Sequence, residues 1–222
     1  MQLNETLSKH QSSFHEVMKG LHDTSNLKKV DMSKYNEELM AVNVNDTAAF
    51  TAWMELQLEG KIGWGGYMEH REIYRRSKHF DGQGEPRSLH LGIDLWAPAG
   101  TALYCPLHGV VESFADNAGF ANYGPTIIVK HLLDGHTFFT LYGHLSRSSL
   151  VGLSIGDQIQ RGSAFATLGD NEENGNWPPH LHFQLITDLM GKVGDFPGVA
   201  AVSDRALFEK ICPDPNLVLN CQ

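Results

Sequence analysis

A mainly β fold, built on an antiparallel sheet and carrying an N-terminal helical extension, is predicted by three observations. The hydrophobic period changes at about residue 88, from helical spacing to short alternating runs. Those runs, 109–115, 126–131, 136–145, 164–168 and 180–186, are bounded by Gly, Pro, Asn and Asp, as strands of an antiparallel domain are. Asp134-Gly135 stands between two of them, a strong signal for a tight hairpin. The division expected is a helical extension over 1–75 and a β domain over 76–222.

The elements follow in order. Leu3, Leu7, Phe14, Met18 and Leu21 recur at three- to seven-residue intervals, which predicts an amphipathic helix. Asp46 can cap a second helix carrying Phe50, Trp53, Met54 and Leu58, which Gly60 would end. No chemistry is visible in this part, where the histidines are scattered without partners at ligand spacing. The strands come next, and the Gly- and Pro-punctuated tail has one helix candidate at 203–211.

Composition excludes several classes. With 222 residues, 41% hydrophobic and 19% charged, the chain is an ordinary globular one, long enough to bury its own core. Seventeen basic and twenty-six acidic side chains give a net charge of −9, which argues against nucleic acid or anionic lipid as the main partner. Cys105, Cys212 and Cys221 are an odd number without close pairing, so no disulfide framework is expected, and Cys105 reads as a small buried residue. No apolar stretch is long enough for a membrane span. The first residues have neither the charged start nor the apolar core of a signal peptide, so the localisation expected from sequence is cytoplasmic.

Three stretches carry chemistry. In His180-Leu181-His182 both imidazoles project from one face of a strand, while Leu181, Phe183 and Leu185 project into a core. Such a pair can bind a metal, or divide ligation and proton transfer between its members. His90-Leu91-Gly92-Ile93-Asp94 places two more polar side chains on one face. Residues four apart on a straight strand lie about 13 Å from each other, so sharing an ion requires a bend, which Gly92 permits. In Tyr142-Gly143-His144-Leu145, alternation groups Thr140, Tyr142 and His144 on a polar face opposite Phe139, Leu141 and Leu145. Four histidines and an aspartate suit a catalytic zinc, which takes three protein ligands and keeps a position for water. The remaining histidines are then free for proton transfer or oxyanion stabilisation.

These residues carry a resemblance. His90-x-x-x-Asp94 and His180-x-His182, with Tyr142-Gly143-His144-Leu145 between them, resemble the lysostaphin/LytM-type zinc endopeptidases, a family of peptidoglycan hydrolases. The text from His90 to Thr101, then Pro106-Leu107-His108-Gly109-Val110-Val111, fits the same pattern, and the likeness covers residues 88 to about 187. It implies a flattened antiparallel barrel (the duplicated hybrid motif) with the active site in a groove. It also implies one Zn2+ per chain on His90, Asp94 and His182, with His144 and His180 as the catalytic histidines. The substrate implied is a peptide bond in peptidoglycan cross-links or a related peptide, and the location implied by family precedent is the cell envelope. The loop 169–179 departs from the family in being acidic with an aromatic; it is expected to form a groove wall. Trp177 there and Tyr142 beside His144 are the candidate substrate-binding residues. Two alternatives stand beside this reading: an inactive peptidase-like binding or regulatory module, which would lack zinc, and a phosphocarrier, which needs no Asp94. Oligomeric state is not legible in the residues.

Overall fold

Thirteen strands make up the framework of the structure, a computed structural model that describes residues 2–81 and 84–221. The expected parts 1–75 and 76–222 include residues 1, 82, 83 and 222, which lie outside the described residues. The strands are β1 (Leu27–Lys29), β2 (Ile62–Gly65), β3 (Glu69–His70), β4 (Arg87–His90), β5 (Ile93–Trp96), β6 (Ala102–Tyr104) and β7 (Gly109–Asn117). They continue as β8 (Gly124–Leu133), β9 (His136–Gly143), β10 (Gln158–Ile159), β11 (Ala164–Thr167), β12 (His180–Ile186) and β13 (Val199–Ala201). The helices are α1 (Leu3–His10), α2 (Glu37–Met40), α3 (Thr47–Leu58), α4 (Arg205–Ile211) and α5 (Asn216–Leu219).

Eight strands form the main sheet in the order β1-β2-β5-β12-β9-β8-β7-β10, and within it only β1 and β2 run parallel. A second sheet pairs β11 with β6, and a third has the order β13-β4-β3. The fold is therefore mainly β and largely antiparallel, as the change of period predicts. The hairpin at Asp134-Gly135 is present: Leu133 pairs with His136, and φ values of 46° and 82° at the two turn residues match the twist of β8 and β9.

Apolar side chains fill both faces of the main sheet. One face packs Leu95, Leu103, Phe138, Tyr142, Leu181 and Phe183 together with Leu7, Met18 and Leu21 from the N-terminal segment. The other packs Leu91, Ile128, Leu141 and Ile186 against Leu89, Phe196 and Phe208. A further cluster joins Met32, Phe50, Met54, Ile73, Tyr74 and Phe80 to Trp96 and Trp177. Cys105, Cys212 and Cys221 are free thiols, all buried, and burial pushes each up to about 12.

The helical reading of residues 1–75 holds for α1, α2 and α3. Asp46 caps α3 by accepting from the Ala48 and Ala49 amides, and the helix ends in left-handed backbone at Glu59 before Gly60. Elsewhere in the segment the chain is extended, and β1 and β2 join the main sheet. Phe14, Met18 and Leu21 are buried as their spacing predicts, but one helix does not carry them. α1 stops at His10, a short turn follows over Gln11–Ser13, and Phe14 is extended at φ −71°, ψ 144°. The Ser13 hydroxyl donates to the His10 carbonyl at 2.7 Å, a local bond that competes with helix continuation.

Candidate metal centre

β12 is the central support of the site. It pairs with β5 on one side, His182 opposite Asp94, and with β9 on the other, His182 opposite Gly143. Paired residues share a face, so His182 and Asp94 project together while Leu181 and Phe183 enter the core. The bend expected at Gly92 is present: β4 ends at His90, β5 begins at Ile93, and the chain turns between them. Gly92 also makes room for β12, because a Cβ there would lie 2.7 Å from the His182 ring and from the Phe183 carbonyl oxygen.

The bend brings three ligand atoms together. His90 Nε2 lies 2.8 Å from His182 Nδ1 and 3.1 Å from Asp94 Oδ1, and His182 Nδ1 lies 3.3 Å from the same oxygen. Each imidazole has its other nitrogen occupied: His90 Nδ1–H donates to the Gly66 carbonyl at 2.9 Å, and His182 Nε2–H to Gln184 Oε1 at 2.8 Å. With those tautomers, two nitrogen lone pairs and a carboxylate oxygen face one another, and Asp94 Oδ1 accepts no hydrogen bond among the described residues. Three buried acceptors converging on one point are mutually repulsive unless a cation sits between them. Metal–ligand bonds of about 2.0–2.1 Å at tetrahedral angles set ligand atoms about 3.3 Å apart, close to the separations here. The donor set fits a metal ion that takes nitrogen and oxygen ligands.

Electrostatics agree with that reading. Burial, and then the Arg71 charge, push the His90 imidazole down to about 3. Burial opposes ionisation of Asp94, yet His90 and the Arg71 guanidinium hold its carboxyl well below the usual carboxylate range. His90 is thus a neutral imidazole and Asp94 a carboxylate, the protonation states a metal requires of them.

His180 and His144 stand beside the group with rings 4.2 Å apart. His180 Nδ1–H donates to the Pro178 carbonyl at 2.7 Å, and His144 Nδ1–H to the Asn174 carbonyl at 2.9 Å. Both Nε2 atoms are then left as acceptors, and His180 Nε2 lies 3.9 Å from Asp94 Oδ1. Burial lowers the pKa of both rings, so they are neutral near pH 7. The Asn174 side chain clamps the loop that carries these carbonyls, bonding the backbone of Trp177 twice at 3.0 Å.

Tyr142 requires a correction. It pairs with Phe183 and so lies on the core face, fully buried, with edge-on contacts to Phe165 and Phe183. It cannot be a substrate-binding residue in this position. The alternation of Thr140, Tyr142 and His144 would put His144 in the core as well; left-handed backbone at His144 (φ 63°) turns it to the other face. Trp177, in contrast, lines the cavity of about 180 Å³ that contains the five polar residues. Its ring makes edge-on contacts with His144 and His180 on one side and with Phe50 and Tyr74 on the other.

Sequence reasoning missed three residues of this site. Arg71 donates from Nη1 to Asp94 Oδ2 at 2.6 Å; Tyr74 lies near-parallel to the His90 ring with centroids 6.5 Å apart; Tyr123 packs against both His144 and His182. No local pattern marks them, since each reaches the site through a long-range contact. Met32, Phe50 and Ile73 of the N-terminal segment, with Phe80 just beyond it, also line the cavity, so that segment covers the site from outside the main strand run.

The chain is similar to known proteins. Residues 88–193 match the family model described as Peptidase family M23. The peptidoglycan DD-endopeptidase ShyC of Vibrio cholerae is 30% identical over 103 residues, covering 46% of this chain and 21% of that protein. The chain therefore spans about a fifth of the length of that curated relative. A zinc-containing peptidase from Vibrio cholerae is 25% identical over 44% of this chain and 27% of that one, with a TM-score of 0.36. The catalytic domain of lysostaphin from Staphylococcus simulans is 21% identical over 67% of this chain and 92% of that one, with a TM-score of 0.39.

Proposed function

We propose, from the premise that residues 88–193 resemble lysostaphin-type peptidases of family M23, that this chain is a zinc-dependent endopeptidase. The single observation that supports this most is the convergence of His90 Nε2, His182 Nδ1 and Asp94 Oδ1, three buried atoms that are all acceptors in the tautomers set by the Gly66 and Gln184 bonds. In this reading those three residues hold the ion. Bound there, zinc supplies Lewis-acid polarisation of a scissile carbonyl and lowers the pKa of a water molecule toward neutrality.

The chain's own groups do the rest. An imidazole with a free Nε2, His180 or His144, accepts a proton as water adds to the carbonyl carbon. The same proton is then delivered to the amine nitrogen as the C–N bond breaks. The partner imidazole, also neutral with Nε2 free, takes the proton of the carboxylic acid product, leaving a carboxylate and a free amine. The Pro178 and Asn174 carbonyls fix both rings in the tautomer that this needs. Trp177, on the cavity wall, is the proposed substrate contact. The proposed substrate is a peptide cross-link of peptidoglycan, and the proposed place of action the cell envelope. Support comes from the 30% identity to a peptidoglycan DD-endopeptidase. Among the described residues no helix is long and apolar enough to cross a membrane.

The alternative, a module that binds peptide without cutting it, has the close cover over the site in its favour. All five side chains are buried, none more than 6% exposed. Elemental analysis joined to a cross-link cleavage assay separates the readings. The endopeptidase binds about one zinc per chain, loses it in His182→Ala, and in His144→Ala keeps it while turnover falls about 10²–10⁴-fold. No bound zinc, none taken up and no turnover on any peptide cross-link favour the binding module, and full activity of His144→Ala removes the proposed mechanism.

A further inference from the structure

We infer that Arg71, in the segment before the M23 match, is a positioning residue of the metal centre: it holds Asp94 so that one carboxylate oxygen alone faces the ion. This rests on the metal reading above and extends it to a part of the chain in which the sequence shows no chemistry.

The fold delivers Arg71 to Asp94 by strand pairing. β3 pairs with β4, Glu69 opposite His90, and the Arg71 amide donates to the Ser88 carbonyl at 2.8 Å. Its side chain then runs inward and is only 2% exposed. A buried guanidinium is costly unless its charge and its donors are matched. Here the charge is matched by two carboxylates, Nε donating to Glu69 Oε2 at 2.6 Å and Nη1 to Asp94 Oδ2 at 2.6 Å, with Nη1 also 3.4 Å from the Tyr74 hydroxyl, while Nη2 has no partner among the described residues. Glu69 is fixed in turn, its Oε1 accepting from the Met32 amide at 3.2 Å. The two oxygens of Asp94 are thereby divided. Oδ2 belongs to Arg71, and Oδ1, which accepts no hydrogen bond among the described residues, points at His90 and His182.

The planar fork of Arg71 lets Nε and Nη1 engage two carboxylates at once, which an ammonium cannot do with the same geometry. Groups that orient metal ligands commonly affect metal affinity about 10–100-fold. Without Arg71 the Asp94 carboxylate can rotate, and the pre-set triangle of donors is lost. The competing account is an ordinary buried ion pair that stabilises the chain and has no bearing on the metal.

The test measures zinc affinity of the full chain by competition with a chromophoric chelator, at one pH, for wild type, Arg71→Gln, Arg71→Lys, Asp94→Asn and the Arg71→Gln/Asp94→Asn double variant. The expected result is zinc binding about 10–100-fold weaker in Arg71→Gln, with a smaller loss in Arg71→Lys. In the Asp94→Asn background Arg71→Gln is expected to have little further effect, because Arg71 acts through Asp94. Unchanged affinity in Arg71→Gln, or an equal loss with and without Asp94, overturns the assignment. If Arg71→Gln fails to fold, Arg71→Lys decides: wild-type zinc affinity in a folded Arg71→Lys overturns it, and weaker binding upholds it. A wild-type chain that takes up no zinc overturns the metal reading itself, an outcome distinct from tight binding that ignores Arg71.

Discussion

Two buried histidine environments lie on opposite faces of the same sheet, and they differ in how their nitrogens are used. On the core face, His131 of β8 has both ring nitrogens matched, Nδ1 at 2.9 Å from the His108 carbonyl and Nε2 at 2.8 Å from the Thr140 hydroxyl. Against the other face, His182 of β12 and His90 of the neighbouring strand β4 each have one nitrogen matched and the second turned toward another acceptor. Burial alone does not separate the two, for His131 and His90 are each 1% exposed. The difference lies in the complementarity of partners. A satisfied histidine holds a fold together, and one facing acceptors needs an ion or a proton from outside.

That contrast can be broken or sharpened by experiment, beginning with the largest expected effect. Zinc supplied at a thousand times its dissociation constant is expected to stabilise the wild-type chain by about 4 kcal/mol. His182→Ala shows no such gain, while His131→Gln retains it. Equal zinc stabilisation of wild type and His182→Ala in thermal melts would erase the distinction between the two faces.

Next comes acid sensitivity. Burial pushes the His131 imidazole down from 6.5 to about 4 in the folded chain, so the unfolded chain takes up the proton first. Stability is therefore full above about pH 6.5 and falls as the pH drops toward 4, with about 3 kcal/mol at stake. Denaturant melts between pH 7 and pH 4 check this, and His131→Gln is expected to flatten the acid limb. An identical limb in that variant would assign the loss to other groups.

The smallest effect concerns tautomer control. Gln184 Oε1 accepts the His182 Nε2–H, and its amide donates to the Pro197 carbonyl at 3.2 Å. Gln184→Ala frees His182 to move its proton to Nδ1, the atom proposed as a ligand. About tenfold weaker zinc binding is expected, roughly 1.4 kcal/mol, measured by chelator competition. Unaltered affinity would mean that packing alone orients the ring.

Legibility in the sequence followed the range of the interactions. The Asp134-Gly135 hairpin, the Asp46 cap and the bend at Gly92 are short-range, set by residues within a few positions of each other, and the sequence announces each. The facing of His180 and His182 was legible because alternation within one strand decides it. Tyr142 was misread because alternation says which residues share a face but not which face meets the core; its pairing with Phe183 settles that, and Phe183 is forty-one residues away. The strands β1 and β2 were hidden for a similar reason. They are three and four residues long, too short to display a period, and they exist through pairing with each other and with β5. Arg71 has no local signature at all, since its role depends on the contact with Asp94.

The edges of the main sheet have a further consequence. Both ends of the eight-strand order are very short, β1 with three residues and β10 with two, and β1 carries Lys28 and Lys29. Long flat edges present unpaired amides and carbonyls on which other chains can add strands, and short or lysine-bearing edges blunt that template. A sheet finished in this way resists edge-to-edge aggregation at high concentration. It therefore keeps β5 and β12, which carry Asp94, His180 and His182 in the interior of the order, away from the places where misassembly begins.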